Sequence, residues 1–398
     1  MSSTPSMDAR TRGMPWPVLF HQPFRVFFLA AAWFAVFHGA WWGGMLASGS
    51  MNLSGNPFLW HGYHMVFGFA GAIVIGFLLT ASANWIGRTV ASPGPTLVLF
   101  LGWLLARLGG FLPELIPLAL VLLGDGVALW GATLLLSLSL LRAGNRRNYR
   151  FIPILGGVAL AATVFQLSAL GVLPEWRFAM MRSGLDLMLL LMVVMGQRII
   201  PFFTERRLPH LAVRRSASMV VAAPITILGG LAAYHLGFNV MAIPLMVGAA
   251  VLLMMQLTLW RSWGTWPEPM LWILHLGYLW LAVSLFLRAG SLAFDWTPYS
   301  TAGHAVSVGA LGALGLGMLA RVSLGHTGRP IQATAWITVA FVLVTLAAVL
   351  RLMTGFSTPI PMQWLFGSSA LFWILAWLIF AIAYLPILTS PRADGRPG

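Results

Sequence analysis

The chain reads as an all-α, polytopic membrane helical bundle of about 12 transmembrane helices, with both termini in the cytoplasm. Three observations predict this. Hydrophobic residues make up 59% of the 398 positions and charged residues only 8%, where a soluble domain carries roughly 25% charged residues, and the mean hydropathy is +0.86. Apolar runs of the ~20 residues that a membrane helix needs recur along the whole chain. Arginine, the sole source of the 23 basic side chains, falls mainly between alternate runs. No polar stretch is long enough to fold alone, which excludes a soluble catalytic domain. Cysteine is absent, so there is no disulfide framework, thiolate metal site or cysteine nucleophile.

Twelve runs can be placed, at 24–46, 62–84, 95–112, 115–141, 151–173, 178–201, 217–236, 239–260, 270–289, 301–320, 332–352 and 362–388. Run length and the need to satisfy every backbone group inside lipid make them helices rather than strands. The first is preceded by arginine but is too long for a signal-peptide core, so it stays as a helix. The connections set the orientation. Arg10 and Arg12 precede the first run, and Arg88 follows the second. Arg142, Arg146, Arg147 and Arg150 follow the fourth, and Arg206, Arg207, Arg214 and Arg215 the sixth. Arg261, then Arg321 and Arg329, and finally Arg392 and Arg396 complete one side. The opposite connections are nearly free of arginine, Arg177 being the main exception. Residues 1–23 are thus a cytoplasmic segment, 24–388 a single transmembrane domain and 389–398 a cytoplasmic tail. The net charge of +14 then fixes membrane orientation and is not a nucleic-acid signature.

Polar side chains inside such helices cost ~2.5–3.5 kcal/mol each when charged, so each needs a reason. His38, His61, His64 and His304 share the outer leaflet by topology, with His61 and His64 on one helix face, while His275 lies nearer the inner end of the ninth run. Neutral imidazoles at matched depth suit copper, zinc or haem iron; singly, each reads equally well as an interfacial residue bonded to water or carbonyls. Arg182, Arg198 and Arg351 lie near helix ends, where they can reach the interface. Arg107 and Arg288 sit in outer halves, where they can pair with Asp186 and Asp125 or bind haem propionates. Most of the 20 methionines are packing residues. There is no phosphate-binding glycine loop, paired-carboxylate constellation or nucleophile elbow. One internal echo stands out: His64 precedes Gly87-Arg88 much as His304 precedes Gly328-Arg329, through an old duplication or by chance.

Four blocks carry a resemblance. They are Trp60-His61-Gly62-Tyr63-His64-Met65 running on to Asn84-Trp85-Ile86-Gly87-Arg88; Gly196-Gln197-Arg198-Ile199-Ile200-Pro201-Phe202-Phe203-Thr204; Leu274-His275-Leu276-Gly277-Tyr278; and His304 followed by Arg321-Val322-Ser323-Leu324-Gly325-His326-Thr327-Gly328-Arg329. In this order, over nearly the whole chain, they resemble the NnrS family of multi-pass bacterial membrane proteins. The resemblance implies haem and copper as cofactors, a place in the bacterial inner (cytoplasmic) membrane, and a role in denitrification and in the response to nitric oxide and nitrosative stress. His61, Arg107, Arg198, His275, His304, His326 and Arg329 match the family pattern. Where the family reads His-x-His-Glu-Met, Tyr63 stands at the second histidine and His64 at the glutamate.

These readings set the expectations. Haem and copper are held by a set drawn from His38, His61, His64, His275 and His304, with His64 a copper ligand and Arg107, Arg198 and Arg288 as further cofactor contacts. Nitric oxide or a metal-nitrosyl species is the ligand, membrane lipid the surroundings, and nucleic acid no partner. A secondary transporter of a small molecule, haem or metal is the alternative. A quinol-dependent nitric oxide reductase ranks lower, because no soluble redox domain supplies electrons.

Overall fold

The computed structural model describes residues 16–49 and 56–396, and all its regular structure is helical. Arg10 and Arg12 lie outside the described residues. Twelve helices are long and apolar enough to cross a membrane: α1 (Pro23–Ser48), α2 (Pro57–Ile86), α3 (Pro93–Phe111), α4 (Leu118–Arg142), α5 (Phe151–Ala169), α6 (Arg177–Arg207), α7 (Ala217–His235), α8 (Asn239–Leu259), α9 (Pro269–Phe294), α10 (Tyr299–His326), α11 (Ala335–Met353) and α12 (Met362–Thr389). Local chemistry sets their starts. Proline opens α1, α2, α3 and α9, where its missing N–H costs nothing. Asn56 caps α2 through its side-chain oxygen, which accepts from Phe58 N (2.9 Å) and Leu59 N (3.2 Å). Each predicted run corresponds to one helix. Four run further than hydropathy shows: α2 begins at Pro57, α6 ends at Arg207, α9 at Phe294 and α10 at His326; in the extensions Arg207 pairs with Glu268 and His326 packs on Phe24.

Burial sorts the helices into three groups of four. The central windows of α2 and α10 are 83% buried and that of α6 is 67% buried, against 28–61% for the other nine helices. In each group the second helix is therefore the innermost. The groups close a ring: α4 packs on α5, α8 on α9 and α12 on α1. Arg25 of α1 fastens the last joint by donating to Leu388 O (2.9 Å) and Ser390 O (2.8 Å), meeting the unpaired carbonyls at the end of α12. Both described termini accordingly lie at one end of the bundle, called here the terminal end; the other is the distal end.

The echo between the first and third groups extends to backbone geometry. In α2 a π-helical stretch starts at His64 (His64–Ala70), and in α10 one follows His304 (Ala305–Ala310). Both helices then stop at a left-handed glycine, Gly87 with φ 71° and Gly328 with φ 70°, a conformation that disfavours a side chain. A third π stretch, Gly126–Trp130 in α4, follows Asp125. Each wide turn thus begins at or just after a polar residue, buried at His64 and Asp125 and half-buried at His304, and π-bulges are common at functional sites.

Candidate functional site

At the distal end, α1, α2, α10, α11 and α12 enclose a cavity of about 90 Å³ lined by His38, His61, His304, Arg351 and the aromatic rings of Trp42, Phe366 and Trp373. Hydrogen bonds hold its histidines, His38 and His61 at one ring nitrogen each and His304 at both. His61 Nδ1 meets His38 Nε2 at 3.0 Å. His304 Nδ1 donates to Ser300 O at 2.8 Å, the carbonyl one turn back along α10. His304 Nε2 accepts from Arg351 Nη2 at 3.1 Å, since a guanidinium has no lone pair to offer, so His304 is a neutral imidazole with a fixed tautomer. Both His61 and His304 therefore have Nδ1 engaged. The rings are also clamped: His61 stacks on Trp42 at 4.4 Å and His38 on Trp60 at 4.9 Å.

Arg351 was expected to reach for the interface, but it turns to the cavity. Its partners are His304, Thr354 Oγ1 and the Phe366 ring at 4.8 Å. None is a carboxylate, so among the described residues this half-buried cation has no counter-ion. The sequence did hold the signal: Arg351 is an arginine on the end that is otherwise poor in arginine.

The second cluster lies between α2, α3, α4 and α5, beside a cavity of about 400 Å³. Arg107 is its hub. Its Nη1 donates to His64 Nδ1 at 2.8 Å, and its Nη2 to Asp125 Oδ1 and Oδ2 at 2.6 and 2.8 Å and to Tyr63 Oη at 3.3 Å. Gln166 donates to the same tyrosine oxygen. The two positions that depart from the resembled pattern, Tyr63 and His64, thus both turn to Arg107. His64 lies so close over Gly110 that a Cβ there would enter its ring.

Arg288 sits at a third distal cluster. It pairs with Asp186, which also takes His235 Nε2 at 2.9 Å, and it lies 5.4 Å from the Tyr299 ring. Of the two pairings considered for Arg107 and Arg288, both take an aspartate. Arg182 bonds Tyr234 Oη at 2.8 Å.

The structure brings His38, His61 and His304 to one cavity, with His64 5.9 Å from His38 between ring centres. His275 is elsewhere, at the terminal end, where Thr204 Oγ1 (2.9 Å) and Ser262 Oγ (2.8 Å) occupy its two nitrogens. Arg198 is there too, bonded to Asn148 Oδ1 at 2.7 Å and lying over Trp85 at 5.1 Å. Among the described residues no three His, Asp or Glu side chains converge into a ready metal cage. The donor set of the first cavity fits haem iron through His61, which is held at Nδ1 as hydrogen bonding from behind holds metal-ligating histidines, and through Arg351, an arginine of the kind that takes a carboxylate; His304 has both nitrogens engaged and offers Nε2 only once Arg351 turns to another acceptor.

A family model described as NnrS protein matches residues 18–392, and the chain belongs to that family. No curated protein matches the sequence.

Proposed function

We propose that this NnrS-family membrane protein binds haem at the distal cavity beside His61 and His304, one of which would hold the iron, and uses it to bind nitric oxide or its metal-nitrosyl products in the bacterial inner membrane. The observation that carries the reading is that two imidazoles, each engaged at Nδ1, line one cavity beside an arginine with no carboxylate partner. His38 holds the Nδ1 side of His61, and Ser300 O holds the Nδ1 proton of His304. Arg351 offers its N–H groups to a propionate, which relieves its unpaired charge. Trp42, Phe366 and Trp373 keep water from the cavity. At about 90 Å³ the cavity is well below the ~300 Å³ lower end of cofactor sites, so haem would enter only with a rearrangement of the cavity walls. Haem bound there supplies an iron that takes a diatomic ligand.

Copper supports a second reading at the same place. His38 Nε2 and His61 Nδ1 meet nitrogen to nitrogen, and a cuprous ion suits two imidazoles in place of the shared proton. His64 is less suited, because it lies outside this cavity with its Nε2 directed over Gly110.

The test is the absorption spectrum with iron and copper content of protein purified in mild detergent. His61→Ala and His304→Ala each lose the haem band that nitric oxide shifts in the parent, and His275→Ala keeps it. Unchanged haem in both cavity variants would remove this site from the function. Copper without haem, lost in His38→Ala and His61→Ala alike, would put the second reading first. A protein free of both metals, with saturable uptake in proteoliposomes, would favour the transporter.

A further inference from the structure

The largest of these cavities lies away from the histidine cluster. At the terminal end, α2, α6 and α10 part to leave a cleft of about 440 Å³. Its walls are apolar and aromatic: Phe77 and Trp85 from α2, Phe203 from α6, Met318 from α10. Phe77, Met195 and Met318 also line a smaller, almost wholly apolar cavity of about 70 Å³ among the same three helices. The space therefore runs from the helix ends towards the core of the bundle.

The cleft is also cationic. Arg147, Arg198 and Arg215 border it. Arg215 pairs with Glu205. Among the described residues Arg198 has only the neutral partners Asn148 and Trp85, and Arg147 is exposed with no hydrogen bond, ion pair or ring contact of its own. Two arginines thus stand at the mouth of an apolar cleft without a carboxylate, beside the His326 ring and Asn84 amide. An apolar molecule would leave those charges unmet, and a small inorganic anion would leave the apolar depth empty.

We propose that this cleft binds an amphipathic anion, its phosphate or carboxylate head on Arg147 and Arg198 and its apolar body between Phe77, Met195 and Met318. Guanidinium groups bind both kinds of head bidentately, and basic pockets between transmembrane helices are recognised lipid-headgroup sites. The two sources of this chemistry are an anionic phospholipid and a tetrapyrrole carboxylate. The inference shares no residue with the histidine cavity and stands or falls apart from it.

Native mass spectrometry of the intact protein, titrated with phosphatidylglycerol, phosphatidylcholine or hemin, tests it. One tight equivalent of phosphatidylglycerol or hemin is expected, with phosphatidylcholine at least about tenfold weaker, since one charge-assisted contact is worth a factor of that order. Arg147→Gln with Arg198→Gln should lose that preference, while Arg142→Gln, outside the cleft, keeps it. Arg147→Gln alone disturbs no partner and keeps the test readable if the double variant does not fold. Tighter phosphatidylglycerol assigns the lipid source; tighter hemin that persists in His304→Ala assigns the tetrapyrrole. Equal binding of phosphatidylcholine, or equal binding by the arginine variants, would overturn the proposal.

Discussion

The distal ends of the first and third helix groups carry the same pair of side chains in the same relation. In one, His64 of α2 accepts from Arg107 of α3; in the other, His304 of α10 accepts from Arg351 of α11. In both, the histidine stands where a π-helical stretch begins. The difference is a single carboxylate. Asp125 from α4 neutralises Arg107, and nothing equivalent reaches Arg351. A buried charge without a partner is costly, so the first pair is complete within the protein, while half-buried Arg351 has no carboxylate among the described residues and is where the proposed ligand would be met. The contrast explains why two clusters of similar composition are read differently.

The largest effect that could break the comparison is at Asp125. Asp125→Leu strands Arg107 among buried side chains and should cost about 3–5 kcal/mol, as breaking one half of a buried ion pair does. Arg351→Met removes hydrogen bonds but strands no charge, and should cost about 1 kcal/mol in the ligand-free protein. Thermal unfolding in one detergent measures both. Equal losses would mean that the two arginines are held alike and that the comparison fails.

The next effect sharpens it. Phe366 lies over the Arg351 guanidinium, so Phe366→Glu gives the third group the carboxylate it lacks. The variant should fold, and its haem content should fall by about tenfold or more, because the propionate then competes with a fixed anion for the same N–H groups. Iron per protein is the readout. Full haem loading would show that Arg351 is not the anion's partner.

How much of this was legible in the sequence follows from the same pair. The twelve helices were legible because hydropathy over ~20 residues is local information. The ring of three four-helix groups was not, because the order of helices around a bundle is set by packing between distant segments. Only the His64 and His304 echo, a matter of spacing, hinted at it. Depth placed His38, His61, His64 and His304 together at the distal end, but depth cannot say which cavity each faces. Arg107 and Arg288 left two readings open, an aspartate or a propionate, since only tertiary contact shows which arginine already has its aspartate. For His275 depth alone was legible, and the neighbours on its ring, Thr204 and Ser262, come from other segments.

The terminal ends of α2 and α10 repeat the lesson on a smaller scale. Both stop at a left-handed glycine followed by arginine, yet open space surrounds Gly87 while a Cβ on Gly328 would collide with the Asp394 carboxylate. The tail covers only the second turn: Arg392 donates to His326 O and Ala393 N to Thr327 O at 2.9 Å. Arg392 pairs with Asp394, and its side-chain bond holds that carboxyl below its usual 3.8, to about 2. A carboxyl depressed in the folded state contributes while ionised and loses that contribution on protonation. Tail docking should therefore be constant above pH about 4 and weaken as the pH falls towards 2. The chain has no cysteine, so Ala393→Cys gives one labelling site on the docked tail, and the mobility of a spin label there reports docking. Gly328→Ala should give the undocked signal at every pH and Gly87→Ala should leave it unchanged. A signal indifferent to pH in the parent would mean that the backbone bonds alone hold the tail and that the Arg392–Asp394 pair adds nothing.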